Sequence, residues 1–121
     1  MANKTLPIFD ISDVTASPEY TERISSLNSI SLQIYWADLV GSASLLLSVS
    51  NDDTNFDDYP VVDPLTGNRV VSIPISGSSG SVTIQIDKII SKYLKIKIDG
   101  TAASSGDVSG VFIIVDIQDT Y

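Results

Sequence analysis

Apolar and polar residues alternate with a period of two through most of this chain. Such alternation is typical of β-strands that bury one face. The clearest run, residues 30–36, ends in the only tryptophan, so the pattern predicts that Trp36 lies in the core. In this run the apolar set is Ile30, Leu32, Ile34 and Trp36, and the polar set is Ser31, Gln33 and Tyr35. The same period recurs in residues 44–50, 70–75, 82–86 and 93–99, and a last apolar run, residues 111–117, predicts a further strand.

Turn-forming residues separate these runs. Residues 51–55 read Asn-Asp-Asp-Thr-Asn, residues 66–68 read Thr-Gly-Asn, and loops of small residues occupy 76–81 and 100–110. Asn, Asp and Gly accept the backbone angles that end a strand. Helical periodicity is absent apart from a possible single turn over residues 87–92. The pattern predicts an all-β fold, an antiparallel, jelly-roll-like β-sandwich of about six to eight strands.

The chain length of 121 residues suits one domain. Pro7 and Pro18 disfavour central strands near the start of the chain. We therefore expect an N-terminal arm over residues 1–18 and a single sandwich domain over residues 19–121.

The last apolar run predicts an interaction surface because both of its faces are apolar. We assign Val111 and Ile113, with the later odd-numbered positions, to the core, which places Phe112 and Ile114 outside. A small sandwich buries one face of each strand, so the second face should meet a partner. The predicted interface residues are Phe112, Ile114, Leu46, Phe9 and Ile11, the last two on the N-terminal arm.

Composition narrows the possible functions. The chain has no cysteine, no histidine and a net charge of −8. The usual nucleophiles and general bases are thus missing, and we expect no enzyme activity and no cofactor. An acidic chain repels nucleic acid and anionic lipid, so neither is expected as a partner. No run has the length of a membrane span or of a signal sequence.

The acidic stretch of residues 52–58 is the one candidate metal site. It holds four carboxylates, but they do not follow the spacing of a calcium-binding EF-hand loop. We interpret it as a solvated turn and predict no dedicated metal site. The weak candidate for an opportunistic cation is the group Asp52, Asn55 and Asp57.

The order of motifs resembles that of small β-sandwich virion proteins of tailed bacteriophages. Their pattern is a strand ending in Trp, then S-N-D-G-x-N-W, then Y-x-R/K and a Gly-rich hairpin. The matching positions here are Trp36, Ser50, Asn51, Asp52, Asn55, Phe56, Tyr93 and Lys95. Two positions depart from the pattern, because Asp53 replaces a Gly and Phe56 replaces a Trp.

The resemblance implies a non-enzymatic structural role. The expected location is the virion, and the protein would be made in the host cytoplasm before assembly. The expected function is a head decoration or auxiliary capsid protein, with a fibre-base component as a related possibility. Its partners would be the major capsid protein or another virion protein, and further copies of itself, with a trimer favoured. The alternative is a carbohydrate-binding sandwich module, for which the candidate sugar-stacking residues are Tyr35, Tyr59, Tyr93 and Tyr121. A flat row of two or three such rings on one face would favour that alternative.

Overall fold

The computed structural model describes residues 3–24, 28–89 and 91–116, and these residues form strands joined by turns and one short 3-10 helix, η1. The elements are β1 Asn3–Asp13, η1 Val14–Ala16, β2 Glu19–Arg23, β3 Asn28–Gly41, β4 Ala43–Ser50, β5 Asp57–Asp58, β6 Val61–Val62, β7 Arg69–Val70, β8 Ser72–Ile75, β9 Gly80–Ile89, β10 Tyr93–Asp99 and β11 Ala103–Asp116. The described residues of the segment 87–92 do not form the helical turn expected there, because β9 continues to Ile89.

Two antiparallel sheets make up the sandwich. Sheet A has the order β1-β11-β3-β9, and sheet B has the order β2-β10-β4-β5, with β8 also pairing with β4. The three two-residue strands are minor. Without them, the eight remaining strands, counted along the chain, have the orders 1-8-3-6 and 2-7-4-5. This is the order of a jelly roll, and the predicted fold class is confirmed.

The core lies between the sheets and consists of the predicted alternating positions. Ile30, Leu32 and Ile34 of β3 are at most 1% exposed. Their counterparts across the core are just as deeply buried: Leu45, Leu47, Leu94, Ile96 and Ile98 from sheet B. Period-two alternation therefore identified the inward faces of the central strands correctly.

The face assignment of the last strand is wrong. Phe112 is fully buried, Ile114 is half-buried against the core, and Ile113 is 40% exposed. Phe112 pairs with Leu32 across the β11–β3 ladder. Directly paired residues lie on the same face of a sheet, and Leu32 points into the core. Phe112 must therefore point inward too, and the predicted interface loses this residue.

Most of the predicted N-terminal arm is an edge strand of the sandwich. β1 pairs with β11 from Asn3 opposite Val115 to Asp13 opposite Asp107, with register shifts on either side of Phe9. Phe9 is 3% exposed and lies opposite Gly110. The interface prediction for Phe9 is thus also wrong. The edge position expected of a strand containing Pro7 is observed.

Candidate functional site

The acidic turn after β4 is organised around Ser50 and Asp52. The Ser50 hydroxyl accepts the N–H groups of Asp52 and Asp53, at 3.1 and 3.0 Å, and donates to Asp52 Oδ1 at 2.8 Å. Asp52 Oδ1 also accepts the N–H groups of Thr54 and Asn55, at 2.9 and 2.8 Å. Asp52 Oδ2 accepts the Asn55 side-chain N–H at 2.8 Å. One carboxylate therefore holds the whole turn.

These hydrogen bonds lower the pKa of Asp52 well below its ordinary value, and the backbone N–H of Asn55 contributes most. Donors stabilise the charged form of a carboxyl group. Asp53 next to it has a φ of 61°, in the left-handed region. Asp tolerates this region better than most residues, which explains how Asp53 occupies a position where the phage pattern has Gly.

The turn uses the Asp52 carboxylate as a structural acceptor. Asp57, the third member of the candidate cation group, lies on β5 opposite Val49. Within residues 3–24, 28–89 and 91–116, no group of three or more acidic side chains is placed to hold a metal ion. Asp99, after β10, likewise accepts the Thr101 N–H, and this lowers its pKa. Lowered values are the opposite of what a carboxyl acting as general acid needs.

The motif residues of the resemblance meet where this turn contacts β10. Lys95 places its ammonium 4.2 Å from the centroid of the Phe56 ring, a cation–π contact. Asn51 Oδ1 accepts the backbone N–H of Lys92 at 3.2 Å, and Ser50 lies opposite Tyr93 in the β4–β10 ladder. A cation–π contact at an exposed site contributes about 0.5–1 kcal/mol. The motif therefore encodes a turn and its attachment to the neighbouring strand.

Trp36 is half-buried and packs against the core, so the prediction gave the right face of β3, but the side chain lies at the margin of the core and not inside it. It lies opposite Gly80, and a Cβ on Gly80 would come within 2.7 Å of the indole ring. The indole N–H donates to the Gly77 carbonyl at 3.2 Å. The ring thus covers the glycine-containing loop at the edge of sheet A. It also lines a groove of about 360 Å³ with Leu65 and Ile73.

The outer face of sheet B carries charges of both signs. Along β10, Lys97 lies opposite Glu19 of β2, and Tyr93 lies opposite Arg23. Leu46, a predicted interface residue, is half-buried and lies opposite Lys97 on the β4 side. Leu46 therefore has a charged neighbour instead of lying in an apolar patch.

Eleven neighbouring positions on the outer face of sheet A carry no charged side chain. We call this set of positions the uncharged face. Their register across the four strands is continuous, for example Pro7–Val111–Gln33–Thr83. The face consists of Thr5, Pro7, Ser31, Gln33, Tyr35, Ser81, Thr83, Gln85, Ser109, Val111 and Ile113. The sequence signal of this face is the presence of uncharged residues at every second position of three strands, a feature that the search for catalytic and metal-binding residues missed.

The described tyrosines do not form a flat row. Tyr35 is 40% exposed on the uncharged face, whereas Tyr93 lies on sheet B. Tyr59 packs against the core. Tyr20 points inward and meets Phe112 edge-to-face, with ring centroids 5.9 Å apart. Tyr121 lies outside the described residues. The ring arrangement that would favour the carbohydrate-binding alternative is thus not formed by the tyrosines of the described ranges.

Comparison with known proteins places the fold among small β-rich domains. No protein-family model matches the sequence, and no curated protein is significantly similar to it. The chain is structurally similar to the SPBc2 prophage-derived protein YomS, with a TM-score of 0.68 and 5% identity, over 94% of each chain. A subunit of Bacillus endospore appendages, described as disulfide-linked pili, matches with a TM-score of 0.51 and 18% identity over 95% of this chain and 87% of that one.

A third similar structure is the CBM22-1 xylan-binding domain of Paenibacillus barcinonensis Xyn10C. Its TM-score is 0.48 at 11% identity, over 94% of this chain and 86% of that domain. Because this chain has no cysteine, it cannot form the disulfide links named for the pilus protein. Across the described ranges, no helix is long and apolar enough to cross a membrane.

Proposed function

We propose that this protein is a non-enzymatic structural component of a phage-type virion, a head decoration protein that binds and stabilises the capsid surface. The observation that carries the proposal is the end-to-end fold similarity to a prophage-derived protein, over 94% of both chains. The phage-type turn motif adds support, because Phe56 and Lys95 of that motif contact each other.

The proposed partners are a capsid or other virion protein and further copies of this chain. A protein that acts by assembly needs surface for its neighbours and no reaction centre. The two wide outer sheet faces, one charged and one uncharged, suit this role. The resemblance favours a trimer as the oligomeric state.

The test is whether the protein purifies with mature particles of the phage or prophage that encodes it. We expect co-purification through a density gradient, and quantitative mass spectrometry gives the copy number. On the order of hundreds of copies per particle agrees with a symmetric head decoration. A count of about a dozen or fewer would instead assign it to a vertex, neck or fibre base.

Absence from purified particles would contradict the proposal. Specific binding of the isolated protein to cell-wall or capsular glycans, together with that absence, would support the carbohydrate-binding alternative.

A further inference from the structure

We infer that the uncharged face of sheet A is the surface through which this protein contacts a second copy of itself. This inference deepens the proposed function, on which the expectation of self-assembly rests. It replaces Phe112 and Phe9, which are buried within the subunit, with a surface that is free to make contacts.

The absence of charge makes this face suitable for contact between two acidic copies. Each copy carries a net charge of −8, so two copies repel each other wherever their carboxylates approach. Charges that lose water on contact without gaining a partner are strongly unfavourable. The eleven positions of the uncharged face are Gln, Ser, Thr, Tyr, Pro, Val and Ile, so none of them carries a charge. The exposed Asp107, two residues before Ser109 on β11, marks its border and lines a groove with Tyr35 and Ser109. The uncharged face also offers no charge that would attract a nucleic acid or a strongly charged protein.

The uncharged face is also complementary to itself. A two-fold contact places the same patch on both partners, so its groups must be able to pair with one another. The amides of Gln33 and Gln85 and the hydroxyls around them both donate and accept hydrogen bonds. Ile113, 40% exposed, and the half-buried Val111 supply apolar area on the neighbouring strand β11.

The size of the face predicts a weak contact. Four strands about 4.8 Å apart and about 20 Å long present roughly 400 Å² in projection. This is about half of the roughly 800 Å² per partner that stable complexes bury. We therefore expect a dimer that forms at high concentration and is reinforced when a particle holds copies side by side. The two-fold contact predicts a dimer, whereas the phage resemblance favours a trimer, and the measured mass distinguishes the two.

The experiment is sedimentation equilibrium of the full chain from about 10 µM to about 1 mM, a range that covers weak dimerisation. Gln33→Glu and Gln85→Glu change an amide to a carboxylate of the same shape, and we expect each to raise the dissociation constant about tenfold or more. Thr21→Glu is the matched control, because it adds the same charge at an exposed position on β2, outside the uncharged face. It should leave the dissociation constant within about twofold.

Gln33→Lys separates direct contact from long-range repulsion. This variant lowers the net negative charge of each copy. It would strengthen association if long-range repulsion alone opposed it, and it would weaken association if residue 33 is buried between the two copies. Circular dichroism and melting curves confirm that each variant is folded.

Three results would overturn the inference: a strict monomer at about 1 mM, association equally sensitive to Thr21→Glu, or association that Gln33→Lys strengthens. Binding of glycans to this face in a monomeric protein would assign the surface to sugar instead. The co-purification assay tests the virion role separately from this contact. A protein that dimerises through this face but is absent from purified particles would contradict only the virion role.

Discussion

The burial of Phe112 leads to the sharpest stability prediction. The side chain is fully buried and makes an edge-to-face contact with Tyr20 across the two sheets. Its neighbour Ile113, on the opposite face of the same strand, is 40% exposed. Two adjacent residues of similar hydrophobicity should therefore respond very differently to truncation.

The magnitude follows from the buried area. A buried aromatic side chain removes at least about 150 Å² from water, which at about 25 cal/mol per Å² contributes about 4 kcal/mol. The Tyr20 contact adds about 0.5–1.5 kcal/mol. Phe112→Ala should thus lower the free energy of unfolding by about 4–5 kcal/mol, at the upper end of the range of about 3–5 kcal/mol measured for such truncations. Ile113→Ala should lower it by about 1 kcal/mol or less, because much of this side chain already contacts water.

The assay is urea unfolding followed by the fluorescence of Trp36, the only tryptophan. Small domains are stable by only about 5–15 kcal/mol, so Phe112→Ala can fall near the limit of folding. Phe112→Leu is the second variant, with an expected loss of about 1–2 kcal/mol and a melting temperature lower by about 5–10 °C. Equal losses for the 112 and 113 variants, or a larger loss at 113, would refute the assignment of faces on β11.

Three further predictions concern a close backbone contact and two titrating groups. Gly100→Ala should prevent stable folding or lower the melting temperature by more than 10 °C, because the new Cβ would clash with the Val14 carbonyl oxygen. Gly77→Ala, where the nearest atom is 3.8 Å away but φ is +86°, should show only the cost of a left-handed backbone angle and thus the smaller effect in the same melting assay. Burial and the 2.6 Å hydrogen bond to Glu22 raise the pKa of Tyr20 to about 12. The protonated Tyr20 hydroxyl stabilises the fold fully below pH 10, and this stabilisation is lost as the pH rises towards 12. Ultraviolet titration should therefore show a late-ionising tyrosine that is missing in Tyr20→Phe. The pKa of Asp52 is lowered in the fold, so the ionised carboxylate stabilises the protein above the unfolded pKa of about 4, and this stabilisation is lost in stronger acid. Asp52→Ala should therefore lower the free energy of unfolding at pH 7, and the difference from the wild type should be smaller at pH 2 in parallel urea titrations.

The motif that suggested a phage protein is explained by local structure. Asp52 accepts hydrogen bonds that close the turn, and Lys95 lies over Phe56 where the turn meets β10. These contacts determine how β4 ends.

The sequence alone determined the fold class and the inward faces of the central strands. Where polar residues occupy every second position, as in residues 30–34, only one face can be buried without removing polar groups from water. The turn at residues 51–55 was equally predictable, since Asn and Asp form their hydrogen bonds within a few residues of the chain.

Tertiary structure decided the features for which the local pattern was ambiguous. Residues 111–115 are apolar on both faces, so only the pairing of Phe112 with Leu32 determines which face is inside. The N-terminal segment became a strand because β11 offers it an edge, and because Gly110 leaves room for Ile8, whose side chain a Cβ at that position would meet at 2.9 Å. The uncharged face exists only because the ladder order β1-β11-β3-β9 joins four strands that are distant in the chain. Such long-range pairings depend on the whole set of contacts, which no short stretch of sequence contains.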